Sequence, residues 1–192
     1  MGYPTVSAPY GFQPINRVDG MPYAGATRQL PIDPTKTIFH GDLVEIVSGQ
    51  VIPFLTASSG RPAGVFMGAQ YENSMGQTIA AQYYPAGAAN GIAYIVDDSQ
   101  AAFKVAVTNS SSVVVSTTAA SIVGANVALL NGTGNTTTGD SGSSVLAGSG
   151  ATTATLPLRV IDVVQATATT TGYPEIIVKI NNHQYNNATG VV

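Results

Sequence analysis

Gly139-Asp140-Ser141-Gly142 is the sharpest chemical feature of this chain. A serine held between glycines after an aspartate is a common way to present a nucleophilic hydroxyl. Such a hydroxyl needs an imidazole as base and a carboxylate to hold the imidazole in the right tautomer. His40 and Asp97 or Asp98 lie upstream and complete the order His, Asp, Ser. Three features weigh against that chemistry. Ser143 stands where a further glycine is usual, the tetrapeptide lies inside a Gly/Ser/Thr-rich run where such strings arise by composition, and His40 sits in Phe39-His40-Gly41-Asp42, without the surroundings of a catalytic histidine.

The remaining candidates are weaker. Besides His40 the chain has one histidine, His183, in Asn181-Asn182-His183-Gln184-Tyr185. Two isolated histidines without a carboxylate cluster make a poor transition-metal site, and each reads better as a hydrogen-bonding surface or interface residue. Asp97-Asp98 offers the oxygen ligands that calcium prefers, but a polar turn between two strands explains the pair. Tyr83-Tyr84-Pro85 offers rings to a sugar, against which stands packing in the core or at a subunit contact. Phosphate-cradling and dinucleotide motifs are lacking. The chain reads as no enzyme, with no cofactor and no metal. The serine string resembles the nucleophile motif of chymotrypsin-like serine proteases, which leaves that activity as a remote alternative.

In the chain that must hold these residues, charge is the anomaly. Of 192 residues, 44% are hydrophobic and only 9% charged, where about 25% charged is ordinary for a soluble domain. Such a chain either builds its surface from Thr, Ser, Asn, Gln and Gly or has much of it covered by partners. A net charge of −3 with seven scattered basic residues gives no footprint for nucleic acid. The chain has no cysteine, so a disulfide framework is excluded. Its start lacks a basic-then-apolar signal pattern, and its apolar runs fall short of the ~20 residues of a helical membrane span.

Residues 1–36 hold six of the eleven prolines, interleaved with Tyr3, Tyr10, Phe12 and Tyr23. Proline blocks helix and biases the preceding residue to extended backbone, so the segment reads as an extended arm. It either lies along a neighbouring molecule through its aromatic rings or folds back on its own domain. From residue 37 to 182 the pattern is one of short strands in one or two layers: 42–47 and 51–55 as a hairpin, then 63–71, 77–84, 91–97, 103–107, 112–116, 121–130, 143–146, 156–165 and 175–181. Phe103, Val105 and Val107 share one face, as do Ile176, Val178 and Ile180, by the period of two that strands impose. Pro53 marks 51–55 as an edge strand, free to pair with a neighbour. A short turn falls near 98–102, and 131–155 is a Gly/Thr-rich stretch that reads as surface loop. Many short strands with Gly and Pro turns predict an all-β sandwich or partly open barrel, with residues 183–192 as a polar tail.

Several segments together resemble virion structural proteins of tailed bacteriophages of aquatic bacteria. They are Tyr3-Pro4-Thr5-Val6-Ser7-Ala8-Pro9-Tyr10-Gly11-Phe12-Gln13-Pro14-Ile15-Asn16, Ala24-Gly25-Ala26-Thr27-Arg28-Gln29-Leu30-Pro31-Ile32, Leu156-Pro157-Leu158-Arg159-Val160-Ile161-Asp162-Val163-Val164 and His183-Gln184-Tyr185. Gly41-Asp42-Leu43-Val44 followed by Pro62-Ala63-Gly64-Val65-Phe66-Met67-Gly68 is similar to a Gly-Asp strand and a later Gly-Val strand of head-decoration, or cement, proteins. The chain is longer than the smallest of these, with extra strands after residue 90. The resemblance implies a protein on the outer capsid surface of a virion, made in the host bacterial cytoplasm. It implies the major capsid protein as partner, and a homo-oligomer with itself, a trimer before a dimer. Nucleic acid and membrane are not expected partners. Tyr3, Tyr10, Phe12, Tyr23, His183 and Tyr185 are the expected partner contacts. A carbohydrate- or host-binding module of a head or tail fibre is the alternative.

Overall fold

A computed structural model describes residues 8–22, 25, 27–109, 120–168 and 173–186. The protein is all-β. Among the described residues the helical elements are two short 3-10 turns, Ala120–Ile122 and Gln184–Asn186, and no helix is long and apolar enough to cross a membrane.

The strands form two sheets. The six-stranded sheet contains β2 (Arg28–Pro31), β3 (Leu43–Val47), β4 (Gln50–Pro53), β5 (Gly64–Glu72), β6 (Thr78–Ala81) and β7 (Ala89–Val96), in the order β2-β7-β5-β3-β4 with β6 also on β5. The expected β3–β4 hairpin is present. Its two-residue turn puts Ser48 at φ 50° and Gly49 at φ 77°, the doubly positive geometry that matches strand twist. A bridge from Ile32 to Val51 brings β2 and β4 together. Asp33 N–H donates to the Val51 carbonyl at 3.2 Å, so part of the edge read from Pro53 is covered by the chain itself.

The seven-stranded sheet contains β1 (Gln13–Arg17), β8 (Ala101–Thr108), β9 (Asn126–Val127), β10 (Leu129–Leu130), β11 (Ser144–Leu146), β12 (Leu158–Val163) and β13 (Glu175–Ile180). Its order is β10-β11-β8-β13-β12-β9, with β1 also on β8. Only Ala128 separates the two end strands β9 and β10, so the sheet returns on itself as a nearly closed barrel. One edge of β8 takes β13. The other is shared by β1 over Ala101–Lys104 and, in parallel, by β11 at Val107 and Thr108. Closure hides strand edges that would otherwise carry unpaired amides.

Two apolar cores follow from strand alternation. Leu43, Val65 and Val96 join Phe103, Leu158 and Ile176 in the barrel core. Their neighbours Val44, Phe66 and Ile95 point the other way, to Tyr84 and Ile38. Strands buried on both faces read as continuous apolar runs, which accounts for Gly64-Val65-Phe66-Met67.

The described part of the proline-rich segment contributes a strand to each sheet. Phe12 is 0% exposed inside the barrel, and Phe12 N–H donates to the Gly41 carbonyl at 2.8 Å. Pro14 and Pro31 fall in β1 and β2, end strands where a missing N–H is tolerated. The stretch expected as one strand over 121–130 is interrupted: it opens with a 3-10 turn, and Gly124 takes φ 88°. Of 77–84 only β6 is strand, with Tyr84 in a separate bridge to Ile38. The short turn near 98–102 is the β7–β8 connection, where Asp98 Oδ1 accepts the Gln100 N–H at 2.8 Å. The expected strand 112–116 lies outside the described residues.

Candidate functional site

The residues of the serine motif are drawn together, but into a different arrangement from a relay. His40 bridges Asp140 in parallel. His40 N–H donates to the Gly139 carbonyl and Ser141 N–H to the His40 carbonyl, each at 2.9 Å. The Ser141 hydroxyl donates to Asp42 Oδ1 at 2.5 Å, and the Ser143 hydroxyl donates to the same oxygen at 3.1 Å. Phe39 N–H donates to Asp42 Oδ2 at 2.9 Å. Ser141 Oγ in turn accepts Ser143 N–H at 2.9 Å. Burial pushes the Asp42 carboxyl above its usual range, and the three donated hydrogen bonds pull it partly back. Ser141 is itself buried, so its hydroxyl clasps a carboxylate instead of facing solvent. Asp97 and Asp98 stand elsewhere, on Arg28 at 3.2 Å and Arg17 at 3.3 Å.

The Gly/Thr-rich loop carries this clasp because its glycines let backbones touch. A Cβ on Gly132 would lie 2.0 Å from the Gly142 carbonyl oxygen, and one on Gly134 would lie 2.3 Å from the Phe39 ring. Phe39 stacks on Tyr83 with ring centroids 5.6 Å apart. The loop is therefore packed structure, and its glycines serve close approach rather than flexibility.

Beside the clasp lies an open groove of about 920 Å³, lined by Tyr10, Gln13, Lys104, Asn135, Asp140 and Glu175 among others. Tyr10 donates its phenol proton to Glu175 Oε1. Lys104 Nζ lies 3.1 Å from the same oxygen and 5.5 Å from the Tyr10 ring centroid. Burial, then the Glu175 carboxylate, raises the Tyr10 phenol far above its usual range. Phenol, ammonium and carboxylate thus lock the N-terminal segment onto β8 and β13.

The last residues of the described chain form a second cluster. His183 is 1% exposed, which corrects its reading as a surface residue. The polar run around it predicts an exposed ring, whereas the ring packs inside against the Ala63 and Asp97 backbone. Nδ1 accepts Tyr185 N–H at 3.1 Å, so the ring proton sits on Nε2. The Ala63 and Asp97 carbonyls face that proton without good hydrogen-bond geometry. Burial lowers the pKa of His183, while Asp97 and Asp98 oppose the shift. The side-chain amide of Gln184 pairs with both backbone groups of Ile46, donating at 2.8 Å and accepting at 3.1 Å. Arg28 donates to the Tyr185 hydroxyl at 2.8 Å. Half of the Tyr185 surface remains open, at 46% exposure.

Of the expected contact residues, then, Phe12 and His183 are interior, Tyr10 is half-buried in the groove wall, and Tyr185 is exposed. Tyr3 and Tyr23 lie outside the described residues. Reading the sequence for motifs missed Asp42 as an acceptor, and Lys104 and Glu175 as a pair. A signal existed: in a chain this poor in charge, a lysine inside Phe103-Lys104-Val105 and a glutamate heading Ile176-Ile177-Val178 call for each other.

Fold and site define an all-β protein of two sheets whose polar clusters clasp chain segments together. No family model matches the chain, and no curated protein or solved structure matches it significantly. Among the described residues no group of three or more His, Asp or Glu side chains is placed to hold a metal ion.

Proposed function

We propose that this protein is a capsid decoration, or cement, subunit that binds the outer surface of a tailed-phage head as a homo-oligomer and stabilises contacts between major capsid protein subunits. The observation that supports this best is where the scarce charges go. Arg17, Arg28 and Lys104 each pair with a carboxylate of the same chain, and the buried polar networks join distant segments. The result is a weakly charged body suited to contact over area. A cement subunit needs no reactive group. It acts by burying surface between neighbours, at about 25 cal/mol per Å² of apolar area before association costs.

The test uses purified full-length protein and undecorated heads. Saturable binding with a raised shell melting temperature supports the reading, and failure to bind intact shells overturns it. Deleting residues 1–7 asks whether the start of the chain carries a contact. The cut leaves Phe12 and β1 in place, so folding and binding can be read separately. A second reading, a carbohydrate-binding module, is favoured by one feature, the open groove with the amides of Gln13 and Asn135 in its wall. Glycan-array binding lost on Gln13→Ala, with no shell binding, would favour it.

A further inference from the structure

Among the described residues, one half of the six-stranded sheet has no covering layer. Its outer face begins at Val65 and Val96, which pack into the barrel core. Beyond the bulge between Phe66 and Gly68, the same face continues through Gln70, paired with Ala80 on β6 and with Ile92 on β7, and through Tyr94, paired with Gln29 on β2. Ile92 is 38% exposed. The inner partners Ala69, Tyr71 and Ala93 go to the second core, so this overhang is solvent-facing on one side only. It ends at β6, which pairs with β5 alone. Among the described residues, 78–81 make no backbone hydrogen bond beyond that ladder.

Edge strands are normally guarded by lysine, proline, a bulge or a covering segment. Thr78-Ile79-Ala80-Ala81 has no charge and no proline, and its register with β5 runs without a shift. Glu72, opposite Thr78 in the ladder, accepts a hydrogen bond from Asn90 Nδ2 at 2.7 Å. Met75, at the tip of the β5–β6 hairpin, is 82% exposed.

We propose that β6 is a self-pairing edge, through which two copies of this chain join antiparallel about a twofold axis and continue the six-stranded sheet across both molecules. A second copy fits for three reasons. A twofold axis normal to the sheet sets residues of like facing opposite each other, so Thr78 and Ala80 of one copy meet Thr78 and Ala80 of the other, all small. The pairing opposes no like charges. It also satisfies the outward amides and carbonyls of both strands at once and carries each Met75 alongside the stretch that follows β6 in the other copy. The inference deepens the assembly proposed above by naming its surface, and needs no shell to be tested.

Sedimentation equilibrium of the full chain over a concentration series, with hydrogen exchange, provides the test. The expected result is a wild-type dimer in which those amides of 78–81 that point away from β5 are protected at high concentration and exchange on dilution. Ala80→Lys, on the outer face, should weaken the dimer by at least about tenfold and leave the unfolding midpoint unchanged. Thr78→Lys serves should that variant fail to fold. A wild-type monomer at the highest attainable concentration, a trimer, or a dimer indifferent to both lysines overturns the proposal. Should neither variant fold, concentration-independent exchange at 78–81 in the wild type overturns it. A dimer that does not bind shells overturns the decoration reading alone, and shell binding by a monomer overturns this one alone.

Discussion

Replacing Ser141 by alanine separates the two roles that its motif suggests. In the structure its hydroxyl makes two buried hydrogen bonds, one donated to the Asp42 carboxylate at 2.5 Å and one accepted from Ser143 N–H at 2.9 Å. Losing a hydrogen bond to a charged group and leaving a buried N–H unpaired costs about 2–4 kcal/mol together. For a chain of this size that lowers the melting temperature by roughly 4–16 °C. The penalty should depend on pH with a definite sign. The pKa of Asp42 is raised in the folded state, so the native protein holds this proton more tightly than the unfolded chain. Its contribution to stability therefore falls as pH rises through the window above the model-peptide value of about 3.9. Ser141 is a donor that favours the ionised carboxylate, and its loss raises that pKa further. The Ser141→Ala penalty is thus largest near neutral pH and shrinks on acidification as Asp42 becomes protonated. Urea denaturation of both proteins at several pH values measures this directly. A penalty below about 0.5 kcal/mol, the usual range for an inert surface change, would falsify the clasp. So would a proteolytic activity lost without loss of stability.

Three further outcomes follow from the other clusters. Tyr10→Phe removes the hydrogen bond to Glu175 and should cost about 1–3 kcal/mol, with faster hydrogen exchange along β1 and no change in β5. His183 has a lowered folded pKa, so its contribution is complete above its unfolded value of about 6.5 and is lost as pH falls below that. His183→Asn should flatten the melting temperature below about pH 6.5, and an unchanged slope contradicts the burial described. Gly134→Ala forces Phe39 or the loop to move and should cost about 1–3 kcal/mol. An alanine variant as stable as wild type would mean that the loop is not packed as described.

Much of the fold was legible in the sequence because strand alternation is local. Phe103-Lys104-Val105 and Ile176-Ile177-Val178 declare their faces by period alone, and Ser48-Gly49 declares its turn by the conformations those residues admit. The Gly/Thr-rich stretch reads as surface loop, and most of 131–138 is exposed, but the approach of Gly134 to the Phe39 ring is a contact that only the folded chain reveals. The serine motif likewise needs the folded chain to be read. Its residues are near one another in space, yet the partner of Ser141 is Asp42, 99 positions away, and no local pattern encodes that choice.

By itself the sequence determined an all-β chain, poor in charge, with the β3–β4 hairpin and the strands near 63–71, 91–97, 103–107 and 175–181 in place. The tertiary structure alone decided which strands became neighbours, since β8 gathers β1, β11 and β13 from both ends of the chain. It also decided that Phe12 and His183 turn inward, and that, among the described residues, β6 pairs with β5 alone. Hydrophobic periodicity is read over a few residues. Register, closure and the pairing of scarce charges depend on segments far apart in sequence meeting in space.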